Sequence, residues 1–159
     1  MTTTAATPLA ALAGHWQGTS RLVLPWNTPP ESDSPSTAEV RLVAAGRFVP
    51  IAYTWEYEGK AHEGFLLFVR EKKSDAVHAA WVDSWHQGNN PLDSHGTVTA
   101  VGGVDVLGHF PAPPGPDWGW RTVVEASGDD AFRIAMYTIK PDDGEETLGF
   151  ENRYTRVVS

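Results

Sequence analysis

The sequence predicts an all-β chain: a single closed or nearly closed antiparallel up-and-down barrel of about ten strands, with one short N-terminal helix. Three observations carry this expectation. Segments rich in β-branched and aromatic residues recur at short, even spacing from Gln17 to Val158. Turn signals separate them, at Ala45-Gly46, Glu58-Gly59, Gly102-Gly103, Ser127-Gly128-Asp129-Asp130 and Pro141-Asp142-Asp143-Gly144. A helix signature occurs only at the start. Consecutive hairpins favour a meander, and closing it removes edge strands that would invite aggregation. No internal repeat stands out, which argues against a propeller or solenoid.

Residues 1–6 read as a flexible tail, with the core running from about 9 to 157 of a single domain, 1–159. Residues 7–14 carry a compact helix signature, with Thr7 to cap, Pro8 at the first helical position and Gly14 as the stop. So short a helix must dock on the barrel to persist. Residues 17–24 form a first strand. Residues 25–37 are rich in Pro, Ser and Asp, contain Trp26 and read as a long loop that either covers an opening or is a solvated connection with Trp26 tucked onto the barrel wall. Residues 38–44 are strand-like. In 47–57, Val49, Ile51, Tyr53, Trp55 and Tyr57 share one face, and Pro50 requires an edge or a bulge. Strands follow at 61–70, 77–85, 94–101 and 104–110, then a Pro-rich loop at 111–117. The last strands are 118–126, 132–139 and 145–158, the final one interrupted near Gly149.

Composition excludes several function classes. The net charge of −8 argues against nucleic acid and against anionic membrane surfaces as partners. Without cysteine there is no disulfide, thiolate nucleophile or Cys-ligated metal. The start lacks the basic and apolar regions of a signal peptide, and no apolar run approaches membrane-spanning length, so a cytoplasmic location is expected. The sequence is compatible with a homodimer.

The richest stretch is 76–96, with Trp81 and Trp85, His78, His86 and His95, and Asp83 and Asp93. Strand parity puts Val77, Ala79, Trp81, Asp83 and Trp85 on one face and His78, Ala80, Val82, Ser84 and His86 on the other. A buried Asp83 between two indoles needs a cation or hydrogen-bond donors. Either it orients a ligand or acts as a base, or it caps a loop or pairs with an Arg structurally. A barrel of about ten strands is wide enough for a cavity. Tyr53, Trp55, Trp81, Asp83, Arg121 and Tyr154 are the candidate ligand-binding residues; Trp118 and Trp120 share a face by parity while Arg121 points oppositely, and Asp83 and Arg121 could pair across the interior. The alternative for each aromatic is that it fills the core. His86 and His95 flank a loop near Asp83 and Asp93, but no metal-ligand spacing appears, so no metal site is expected. Gly-x-Ser-x-Gly is also missing.

Gly14-His15-Trp16 matches the Gly-x-Trp that opens lipocalin-type barrels, and Tyr154-Thr155-Arg156 matches their last strand. Trp81-Val82-Asp83-Ser84, Ser94-His95-Gly96, Arg121, Met136 and Gly144-Glu145 follow in the order seen in one family. From Leu9 onward the chain resembles a calycin-like bacterial barrel family of unknown function. The resemblance implies a fatty-acid-binding-protein-like barrel in which Arg156 covers Trp16 beside Gly14. The chain is also distantly similar to nitrobindin-like haem barrels. Those use a His near the C-terminal strand, whereas no His follows His109 here, so haem and other cofactors are not expected. Fatty-acid-binding proteins hold a carboxylate with Arg-x-Tyr; here the order is reversed, as Tyr154-x-Arg156.

The expected function is binding of a small, partly apolar molecule inside the barrel. The alternative is a small barrel enzyme of isomerase, cyclase or decarboxylase type, with Asp83 or His86 as general base. A third reading makes the barrel a scaffold whose loops 25–37 and 111–117 bind a protein.

Overall fold

The computed structural model describes residues 8–158. The tail at 1–6 and the Thr7 cap lie outside the described residues. A 3-10 turn, Pro8–Leu12, precedes ten strands: β1 Gly14–Val23, β2 Glu31–Val40, β3 Phe48–Tyr57, β4 Lys60–Arg70 and β5 Ala76–Asp83. These continue as β6 Leu92–Val98, β7 Val104–Phe110, β8 Trp118–Ala126, β9 Ala131–Ile139 and β10 Glu146–Arg156. Each pairs antiparallel with its sequence neighbours, and β1 closes the barrel on β10 from Trp16↔Arg156 to Leu22↔Phe150. The expected all-β barrel is therefore the observed one. None of the described helices is long and apolar enough to cross a membrane.

Alternation places the core. In β3, Val49, Ile51, Tyr53 and Trp55 point inward and are buried, and in β5 Val77, Ala79, Trp81 and Asp83 do the same. Pro50 lies one position beyond the last β2–β3 pair, Val40↔Ile51; it accepts from the Arg41 amide at 3.1 Å but has no donor to return, and the ladder stops there before resuming as the Val43↔Phe48 bridge. The register of β10 against β9 shifts between Leu148 and Phe150, at Gly149.

Two elements differ from expectation. The helix is a five-residue 3-10 turn, too short for α-helical hydrogen bonding. The loop expected at 25–37 is shorter, because β2 begins at Glu31. Its ten-residue register against β1, Val23↔Glu31 to Gly14↔Val40, outweighs the poor strand propensity of Ser, Asp and Pro. Against β3 the same strand pairs only through Ala38, Glu39 and Val40. Beyond them, side chains bridge the seam. The Glu56 amide donates to Ser34 Oγ at 3.0 Å and the Thr37 amide to Thr54 Oγ1 at 3.0 Å.

One end of the barrel is plugged. Leu9 and Leu12 of the 3-10 turn are buried there, and Trp16 Nε1 donates to the Leu12 carbonyl at 2.8 Å. The Arg156 guanidinium lies 4.3 Å over the Trp16 ring and donates to the carbonyls of Ala13, Ala11 and Asp129. Gly14 has φ +141°, and a Cβ there would come within 2.8 Å of Arg156 Nη1.

The middle is filled rather than hollow. Trp16 meets Phe132 edge-on at 4.7 Å, and Phe68, Ile51, Ile134 and Met136 are fully buried in the same core. Tyr53, Trp55 and Tyr154, expected around a void, are 1%, 1% and 2% exposed and belong to the buried core. A ten-stranded barrel has space for a cavity, but this one spends it on large aromatic side chains.

Arg156→Ala removes the ring contact and leaves three carbonyls without a donor. It should lower unfolding free energy by about 2–3 kcal/mol in urea titrations, with Arg156→Lys falling between the two proteins because ammonium lacks the planar fork.

Candidate functional site

The site forms at the end of the barrel opposite the 3-10 turn, where β5 stops. Asp83 is the last residue of β5, and its side chain is wholly buried. One carboxylate oxygen, Oδ1, accepts the Trp85 amide at 2.9 Å and the His86 amide at 3.1 Å. This side-chain-capped turn ends the strand and curls the chain back over the barrel. The other oxygen, Oδ2, accepts Tyr53 Oη at 2.6 Å and Trp55 Nε1 at 3.2 Å. Trp81 Nε1 in turn donates to Tyr53 Oη at 2.9 Å.

Tyr53 reaches Asp83 because of the residue between them. The register is Tyr53↔Gly64↔Asp83 across β3, β4 and β5, so the phenol must cross β4. It does so over Gly64, where any Cβ would collide with the Tyr53 ring. A similar register occurs at β10–β1–β2, Tyr154↔Gly18↔Ser36, and Tyr154 Oη bonds Ser36 Oγ at 2.7 Å. Asn152 Nδ2 also donates to Tyr154 Oη, and Ser20 donates to Asn152 Oδ1 at 2.6 Å. Tyr154 is thus a buried network residue.

Electrostatics follow from these contacts. Burial pushes the Asp83 carboxyl up, but His86, Tyr53 and the Trp85 amide outweigh it and hold its pKa below the ordinary value. Burial, reinforced by the Asp83 charge, raises Tyr53 well above a normal phenol.

The turn brings His86 inward, against the parity expectation, because β5 ends before parity can reach it. Its Nδ1 lies 3.1 Å from Asp83 Oδ1, off line for a hydrogen bond. Five rings surround the imidazole with centroids between 4.8 and 5.6 Å: Trp55, Trp81, Trp85, Trp120 and Phe150. His95 is elsewhere, stacked on His78 at 4.4 Å, with Asp93 3.5 Å from His78.

Two clefts open beside His86. The larger, of about 760 Å³, is bordered by Leu24, Trp26, Trp85, Trp118, Trp120 and Leu148. The smaller, of about 320 Å³, lies between Trp81, Gln87, Leu92, His109, Phe110 and Trp120. His86, Phe110 and Trp120 line both. Pro25 and Trp26 from one expected loop, and Pro111 and Ala112 from the other, sit on these rims.

Of the residues singled out from sequence, Tyr53, Trp55, Trp81 and Asp83 converge at this end. Arg121 does not. It points outward from β8 and forms a two-pronged pair with Asp105, at 2.9 and 2.8 Å, and a second pair with Glu146 at 2.9 Å. The expected Asp83–Arg121 pair is corrected: Arg121 alternates with the inward-facing Trp120 and Thr122, and Asp83 is satisfied by neutral donors instead. Sequence reasoning passed over Trp120, Gln87 and Phe110 as site residues. Trp120 carried a signal, since its parity on β8 faces the interior.

Gly64→Ala should cost about 2–3 kcal/mol in urea denaturation, through overpacking and loss of the Tyr53–Asp83 bond. In that background Tyr53→Phe should add almost nothing, a coupling a double-mutant cycle measures. Asp83→Asn should destabilise by about 2–4 kcal/mol at neutral pH. Because the folded pKa of Asp83 is depressed, its contribution is complete above about pH 5 and is lost as pH falls through the folded value. The stability gap between wild type and Asp83→Asn should therefore narrow below about pH 4.

The barrel is similar to the S-type phycobiliprotein lyase CPES from Guillardia theta, with a TM-score of 0.59 at 10% identity, covering 94% of this chain and 90% of that one. At that identity the likeness is one of fold. No curated protein matches the chain in sequence. The family described as "Protein of unknown function (DUF1579)" matches residues 3–156, and the chain belongs to that family.

Proposed function

We propose that the protein binds a small, partly apolar molecule at the open end of its barrel. The observation that carries this reading is the pair of aromatic clefts around His86. Trp26 is 78% exposed and Trp85 36%, and both border the larger cleft. Apolar rings gathered at a concave opening, with few polar groups among them, are the usual make-up of a ligand pocket. With the core side chains buried in the middle, this reading puts the site at the mouth of the barrel rather than at its centre. Trp81 lines the smaller cleft directly. Asp83, Tyr53 and Trp55 stand behind it as supports that fix the rings and His86. The likeness to a barrel named as a phycobiliprotein lyase is compatible with this reading, without assigning the same ligand.

A second reading, general-base catalysis in the same cleft, rests on one observation. His86 lines both clefts while its Nδ1 lies 3.1 Å from a buried carboxylate. Such a carboxylate favours the Nδ1–H tautomer and leaves Nε2 to accept a substrate proton. Proton abstraction of this kind serves isomerisation, cyclisation or decarboxylation.

Trp emission and native mass spectra, followed against a panel of flat aromatic and acyl compounds, should reveal saturable one-to-one binding. Trp85→Ala combined with Trp118→Ala should weaken it by about tenfold or more while leaving the fold intact. The binding reading fails if no compound saturates the protein below about 1 mM. For catalysis, activity on any bound compound should fall with the loss of the His86 base in His86→Asn; an unchanged rate would remove His86 from that role.

A further inference from the structure

Among the described residues, three buried side-chain polar atoms have no hydrogen-bond partner: His86 Nδ1, Gln87 Oε1 and Trp120 Nε1. All three residues line the same cleft of about 320 Å³. Buried polar groups are normally paired, so such a concentration at one place calls for a physical reason. His86 Nδ1 has the Asp83 carboxylate 3.1 Å away as an electrostatic partner. Gln87 and Trp120 have nothing equivalent.

Their needs are opposite. Trp120 Nε1 is a donor only and requires an acceptor. The Gln87 amide is oriented by two backbone carbonyls, since Nε2 donates to Trp81 O at 2.8 Å and Asn90 O at 3.2 Å. That fixes Oε1 as the free end, an acceptor that requires a donor. Trp81 and Trp120 stack at 5.0 Å with only 13° between their planes, which gives the pocket a flat aromatic side. Leu92, Pro91 and Phe110 supply apolar contacts around it.

Resting on the binding reading above, we propose that this smaller cleft is the polar subsite of the ligand site, and that it takes a planar group presenting a donor beside an acceptor, of the carboxamide or lactam class. A carboxylate would satisfy Trp120 but face Gln87 Oε1 with like partial charge, close to the buried charge of Asp83. A plain hydrocarbon would leave both protein atoms unpaired. An amide edge answers both, and its flat π-system matches the indole wall.

The test compares three flat bicyclic probes on the full chain by Trp fluorescence titration: 2-quinolinone, its N-methyl derivative, which lacks the donor, and naphthalene. 2-Quinolinone should bind about tenfold or more tightly than the other two, as expected where a buried pair goes unmatched. Trp120→Phe removes the donor without breaking any bond of the free protein, because Nε1 makes none. In that variant the ratio of 2-quinolinone to naphthalene affinity should fall towards one, a comparison that cancels any loss of ring area common to both probes. Equal binding of all three probes would overturn the subsite and mean that ordered water alone serves the two atoms; the binding reading would survive. Failure of these probes while acyl compounds saturate the larger cleft would also overturn the subsite alone. Failure of every compound would remove both.

Discussion

A single buried carboxylate organises the open end of this barrel. Asp83 is charged and shut away from water, a state that is tolerable only when its oxygens are surrounded by donors. Those donors come from β3, through Tyr53 and Trp55, and from the turn after β5, through the Trp85 and His86 amides. Satisfying one side chain therefore locks three strands in register and sets the path of the following turn. Gly64 is the condition for this arrangement, because only a residue without a side chain lets the Tyr53 phenol pass over β4. The placement of His86, and of the rings around it, follows.

The two ends of the barrel meet the problem of closure differently. At the 3-10 turn, Leu9 and Leu12 cover the opening, and Arg156 clamps the turn to Trp16 while pairing with its free carbonyls. At the other end, polar groups are used to aim aromatic rings rather than to seal the barrel, and those rings border open clefts. Between the ends, the Ser20, Asn152, Tyr154 and Ser36 network occupies the β10–β1–β2 wall and pairs its buried hydroxyls among themselves. The open end is thus where packing is incomplete and, among the described residues, buried polar atoms remain unpaired.

Much of the barrel was legible from period-two patterning. The inward face of β3, the inward set Val77, Ala79, Trp81 and Asp83, and the break at Gly149 follow from alternation and turn chemistry. β2 was less legible. Its Ser, Asp and Pro residues carry loop propensity, and only ten pairs with β1 make them a strand. The convergence of Tyr53, Trp81 and Asp83 was visible as a shared inward direction, but their bonding was not, because it depends on the strand register that sets which residue stands opposite Gly64. Arg121 shows the reverse error: it alternates with the inward-facing Trp120 and Thr122 on β8, so it points outward, while the expected partner stood on the inner face of another wall.

What the amino-acid order determined by itself was the alternation of faces, the number and spacing of strands, and the need of a buried Asp83 for donors; these are local properties, set by neighbouring residues along one strand. What only the tertiary structure decided was whether the aromatic interior would be a void or a packed core, which way His86 would turn, and which polar atoms would be left without partners. Those outcomes depend on volumes and donors contributed by strands far apart in sequence, and no local pattern encodes how they add up when the barrel closes.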